Sequence, residues 1–91
     1  MANHRSAIKR HRQSLVRRAR NRHYISMVRN SVRNFSETLE GKDAAAAQDA
    51  FRVAERTIRR VAGKGIMHKS TAARKVSRLA RALNNYRANN S

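Results

Sequence analysis

The stretch Ile25-Ser26-Met27-Val28-Arg29-Asn30-Ser31-Val32-Arg33-Asn34-Phe35-Ser36-Glu37-Thr38-Leu39 places Ile25, Val28, Val32, Phe35 and Leu39 at alternating spacings of three and four. With about 3.6 residues per turn, side chains so spaced share one face of a helix. The same rhythm returns downstream as Ala47, Phe51, Ala54, Ile58 and Val61, and again as Ala72, Val76, Leu79, Leu83 and Tyr86. Proline is absent and glycine occurs only at 41, 63 and 65, so the breakers themselves separate three helical segments. Asp43 is the expected N-cap of the second, and Ser70 that of the third. Short links at Glu40 to Lys42 and Gly63 to Lys69 predict antiparallel neighbours that bury their three stripes together. The expected fold is all-α. It is a single domain, 1–91, with a three-helix bundle over 25–86, a long basic N-terminal helix reaching beyond it, and a tail at 87–91. The polar run from Asn84 onward reads as a fraying end.

Upstream of Ile25 the seam positions fall on Asn21, Arg18, Ser14, His11 and Ala7, so the apolar stripe stops. A helix continued through residues 1–24 has nothing to bury and must project from the bundle as an arm. That arm holds Arg5, Lys9, Arg10, Arg12, Arg17, Arg18, Arg20 and Arg22, and no acid. At about 100° per residue these side chains surround the axis, whereas a helix lying on a membrane segregates its charge to one side. Charge on all sides suits a cleft where phosphates approach from several directions. Alone, such an arm is expected to be disordered and to fold as it binds.

The whole chain carries 22 basic against 5 acidic residues, a formal charge of +17 over 91 residues. A compact state repels itself at that density, so the composition calls for a polyanionic partner, with nucleic acid foremost. There is no cysteine, hence no disulfide framework or thiolate metal site, and no apolar run nears the roughly 20 residues that span a bilayer. Residues 1–24 lack the apolar stretch and small-residue cleavage site of a signal peptide, so the chain reads as intracellular and unprocessed. The acids Glu37, Glu40, Asp43, Asp49 and Glu55 gather near the first turn and on the second helix. Arg52, Arg56 and Arg59 can pair with them locally, which makes that side a solvated face.

A second basic cluster surrounds the turn into the third helix: Lys64, His68, Lys69, Arg74, Lys75 and Arg78. Gly63 and Gly65 permit a tight turn, and Lys64 and Lys69 would bracket the free amides of the following helix, a combination that can hold a phosphate. The plainer reading is that the glycines end a helix and the charges are solvated. His4, His11, His23 and His68 have no spacing that groups metal ligands, so no metal or cofactor is expected. No nucleophile lies beside a base and an acidic orienter, and nothing here resembles an active site. Tyr86 falls on a seam and reads as core; for Tyr24 core packing and base stacking stay open. Cationic contacts to a phosphate backbone position a protein without reading sequence, so recognition is expected to follow RNA shape.

The opening Met1-Ala2-Asn3-His4-Arg5-Ser6-Ala7-Ile8-Lys9-Arg10, the central Arg20-Asn21-Arg22, and above all Lys64-Gly65-Ile66-Met67-His68-Lys69-Ser70-Thr71-Ala72-Ala73-Arg74 resemble the bacterial small-subunit ribosomal protein S20 family. The likeness covers nearly the whole chain. It departs at His4 and Arg5, where the family commonly has an apolar residue then lysine, and at Ser70, where asparagine is usual. The resemblance implies a non-enzymatic, primary-binding protein of the small ribosomal subunit in the cytoplasm. It implies a three-helix bundle whose long first helix lies along 16S ribosomal RNA, joining the 5′ domain to the long penultimate RNA helix. By matching positions, Arg5, Lys9, Arg10, Arg12, Arg22, Lys64, His68, Lys69 and Arg74 inherit the expectation of RNA contact. No membrane, small-molecule substrate or homo-oligomer is expected.

Composition alone also permits a nucleoid-type protein that coats DNA, although no second oligomerisation stripe or proline-tipped arm is evident. A bundle that docks on an acidic protein, or a cationic membrane-active helix, fits the all-round charge of residues 5–22 less well. With so small a core against so much charge, the free protein is expected to be loosely folded.

Overall fold

A computed structural model of the chain contains three helices, α1 (Ala2–Glu40), α2 (Ala44–Gly63) and α3 (Lys69–Asn90). It describes residues 2–41 and 43–90, with side chains for 5–41 and 43–89. Lys42 of the expected first link and the side chain of His4 lie outside the described residues.

α1 runs 39 residues because no proline or glycine interrupts it and its N-terminal half is rich in arginine, a good helix former. Where it meets the bundle, its hydroxyls satisfy themselves. Ser31 is buried in the seam and donates to the carbonyl of Val28 at 2.8 Å, and Thr38 donates to that of Phe35. α2 begins at Asp43, whose extended backbone and carboxylate accept the amides of Ala45 (3.0 Å) and Ala46 (3.2 Å), as expected of the cap. It ends in a Schellman turn: Gly65 adopts φ +77°, its amide bonds to Ala62 O at 3.0 Å, and the amide of Ile66 returns to Val61 O at 3.3 Å. The turn therefore rests on Gly65, while Gly63 is still helical. Ile66 then folds onto the core beside Val61.

The core has two layers. Val28, Ile58, Val61 and Ala72 form one, and Phe35, Ala47, Leu83 and Tyr86 the other. The start of α2 meets the end of α1 and the end of α3, and its own end meets the start of α3, so neighbours are antiparallel as expected. Ala47, Ala54, Ile58 and Val61 are fully buried, which makes α2 the element on which both other helices rest. Its alanines keep it slim enough for that role. Phe35 is buried and Phe51 half-buried, their rings 6.0 Å apart and tilted by 60°, within the range of favourable aromatic pairs.

Two seam expectations are corrected. Ile25 is 43% exposed. Tyr24, one turn before Val28, takes the first seam position and packs on the core, leaving Ile25 to the side. The end of the chain does not fray at Asn84. α3 continues to Asn90, because Tyr86 is buried and its hydroxyl donates to Gly41 O at 2.8 Å. That bond ties the last helix to the turn after α1 and overrides the weak helix propensity of the asparagines.

The radius of gyration is 18.2 Å, against about 12 Å for a compact chain of this length, and the longest dimension is 69 Å. The excess is the arm. Every side chain from Arg5 to Arg20 is exposed. Asn21 is the first to be partly covered, and Tyr24 already belongs to the bundle.

Phe35→Ala is expected to cost about 3–5 kcal/mol, a large part of the stability of a domain of this size, and Tyr86→Phe about 0.5–1.5 kcal/mol. Denaturant titrations of the two variants check this. Equal, negligible losses would place neither side chain where it is described.

Candidate nucleic-acid interface

A helix with no side chain packed against it offers its whole circumference to a partner, and this is the condition of the arm. Arg5, Lys9, Arg10, Arg12, Arg17, Arg18, Arg20 and Arg22 are all exposed and spread around the axis. The one ion pair among the described residues joins Arg59 to Glu55 at 3.8 Å, on α2. Local neutralisation thus occurs on the acidic side of the molecule, through Arg59 and not through Arg52 or Arg56, and none of it reaches the arm.

Lys64, His68, Lys69, Arg74, Lys75 and Arg78 are also exposed, and the antiparallel arrangement brings their cluster to the root of the arm. The junction is specific. The ammonium of Lys64 lies 5.1 Å from the ring centroid of Tyr24, a cation–π distance, and His23 meets the same ring edge-on at 5.4 Å. Tyr24 is thereby committed to packing, which resolves the choice left open by the sequence. Lys64 clamps the turn to α1 as well as adding charge there.

The start of α3 differs from expectation. The helix begins at Lys69, and His68 is its cap: His68 O accepts the amide of Ala72 at 3.0 Å, and its Nδ1 accepts the amide of Ser70 at 3.1 Å. The Ser70 hydroxyl stands 2.8 Å from the same nitrogen. A backbone amide only donates, so Nδ1 is the acceptor in that contact. Ser70 was expected as the cap because hydroxyl residues dominate caps; an imidazole two residues upstream takes that place instead and accepts the amide of Ser70 itself. No acid occupies the first turn of α3, so its positive end is left for an anion and is flanked by Lys69.

Among the arginines that the sequence reading passed over, two lie on α1 itself. Arg29 and Arg33 are exposed, without an ion pair among the described residues, and Arg29 follows Arg22 by seven positions. They extend the basic surface from the arm along the outer face of α1. That spacing was visible in the sequence, but the alternation of the apolar seam through the same segment drew attention to the buried face.

Among the described residues no helix is long and apolar enough to cross a membrane, and no three histidine or acidic side chains gather as metal ligands do.

Residues 2–84 match the family model described as ribosomal protein S20. Among curated relatives, the small ribosomal subunit protein bS20 of Solidesulfovibrio magneticus is 51% identical over 84 residues, covering 92% of this chain and 94% of that one. The protein of the same name from Desulfovibrio desulfuricans is 48% identical over 88 residues, covering 97% and 99%. That of Helicobacter hepaticus is 49% identical over 79 residues, covering 87% and 88%.

The cap and any ligand contact of His68 are separable. His68→Ala is expected to destabilise the chain by about 0.5–2 kcal/mol, while His68→Asn, whose side-chain oxygen can accept the Ser70 amide, recovers most of that loss. Equal melting of the two variants would show that His68 is not the cap.

Proposed function

The chain belongs to the ribosomal protein S20 family, and on that premise we propose that it is a structural constituent of the small ribosomal subunit that binds 16S ribosomal RNA through its arm and the α2–α3 turn. The observation that carries the reading is the arm itself. A helix of residues 5–20 with every side chain exposed and no acid among them has no use within its own fold. Its length of about 24 Å at 1.5 Å per residue suits insertion between RNA segments.

The mechanism is electrostatic positioning, and no bond is made or broken. Arg5, Lys9, Arg10, Arg12, Arg17, Arg18, Arg20 and Arg22 replace counterions where phosphates crowd, releasing those ions to solution and allowing RNA segments to pack that otherwise repel. At the root of the arm Lys64, His68, Lys69, Arg74, Lys75 and Arg78 engage a further segment. Arg29 and Arg33 continue the contact along α1. The clamp of Lys64 on Tyr24 holds the two basic groups in a fixed relation, so RNA elements bound by them are held at a fixed distance. The 5′ domain and the penultimate helix of 16S RNA are the segments so joined. The work is done in the cytoplasm, where ribosomes assemble.

Binding to a 16S 5′-domain transcript and to an unrelated folded RNA of equal length, compared at about 0.2 M salt, tests this. A preference of about a hundredfold is expected. Arg12→Ala and Lys69→Ala should each reduce the salt slope by about one contact. Equal binding to both RNAs would contradict the proposal and restore a non-specific polycation.

A further inference from the structure

The arm is not uniformly polar. Ile8 and Leu15 are 48% and 49% exposed, and they stand seven residues apart, hence on nearly the same line of the helix. Ala19, four residues after Leu15, continues that line. The strip is not an extension of the core. Val28 lies 20 residues after Ile8, and Phe35 lies 20 residues after Leu15. Twenty residues rotate the helix by about 200°, so the strip faces away from the seam that Val28 and Phe35 bury. Nothing in the chain can cover it.

The charges beside the strip say what does. Arg12 and Arg18, three residues either side of Leu15, lie about 60° to its left and right, and Arg22 follows in line. A second copy of this helix laid on the strip would bring these arginines against their equivalents. An occupant must instead offer apolar surface between two rows of negative charge. The wide, shallow minor groove of an A-form RNA helix comes nearest: ribose C–H edges stand beside the 2′-hydroxyls and base edges on its floor, and a phosphate backbone runs along each side.

We propose that Ile8 and Leu15 pack on the ribose surface of the minor groove of a double-helical RNA segment, with Arg12 and Arg18 on the flanking phosphates. This rests on the ribosomal RNA reading and deepens it, because it fixes which face of the arm meets a duplex. The remaining arginines, Arg10 and Arg17 among them, are turned towards other segments.

The test is the full-length double variant Ile8→Ala/Leu15→Ala, compared with wild type on the 16S 5′-domain transcript and on the unrelated folded RNA. Alanine raises helix propensity, so lost affinity cannot be laid to a broken arm. Affinity is expected to fall roughly tenfold or more on the 16S transcript with the salt slope unchanged, the signature of lost apolar contact, whereas Arg12→Ala changes the slope. The volume-conserving Leu15→Met should bind as wild type does. A ratio of wild type to double variant near one on both RNAs would overturn the proposal. So would sedimentation showing that wild type is a dimer and the double variant a monomer, since a second copy would then cover the strip. The ribosomal reading is judged separately, by whether wild type prefers the 16S transcript.

Discussion

Seventeen uncompensated positive charges repel one another on a chain of 91 residues, and the apolar surface that opposes them is confined to positions between Tyr24 and Tyr86. Attraction between apolar surfaces falls away as soon as contact is lost, whereas charge repulsion persists over about a Debye length, near 8–10 Å in physiological salt. The fold separates the two effects in space. Burial is concentrated along α2, and a large share of the cations is carried away from it on a helix that touches nothing. The arm is thus a consequence of charge as much as a device for binding: packed against the bundle, its eight basic residues would add repulsion to a small core.

A core of this size depends on chemistry at its ends. The carboxylate of Asp43 starts α2, the positive φ of Gly65 ends it, the imidazole of His68 starts α3, and the phenol of Tyr86 satisfies the carbonyl of Gly41. Each removes unpaired backbone groups that helices otherwise leave at their termini. Two of these devices, those at Gly65 and His68, also shape the turn that carries the second basic cluster. The turn that Gly65 and His68 shape is where Lys64 reaches Tyr24, and through that contact the second basic cluster is fixed to the root of the first. Lys64 and His68 thus each have a structural contact of their own, to Tyr24 and to the Ser70 amide.

Much of this was legible in the sequence. The three periodic stripes gave the helices and most of the core, because a period of about 3.6 residues is a property of order along the chain. The end of the stripe upstream of Ile25 foretold the arm, and Asp43 was readable as a cap from its type and place. The readings that differ all concern distances between residues remote in sequence or choices between adjacent ones. Tyr24 and Ile25 are both apolar neighbours at the edge of the seam, and only the approach of Lys64 and the α2–α3 turn decides between them. Asn84 and its neighbours look like a tail until Tyr86 finds Gly41, 45 residues away. Ser70 looked like the cap because hydroxyl residues dominate caps, and only the folded turn brings the imidazole of His68 to the Ser70 amide. Arg29 and Arg33 were passed over because they share a segment with buried residues.

The central claim is that the arm has only its own backbone bonds to hold it and becomes a stable helix through RNA. Amide hydrogen exchange, followed by peptide in the free protein and in its complex with the 16S 5′-domain transcript, tests this most directly. The account predicts nearly unprotected amides over residues 5–20 in the free protein, slower exchange around Phe35, Ile58 and Leu83, and strong protection of the arm in the complex. An arm protected as well as the bundle without RNA, or still unprotected with it, would contradict the account.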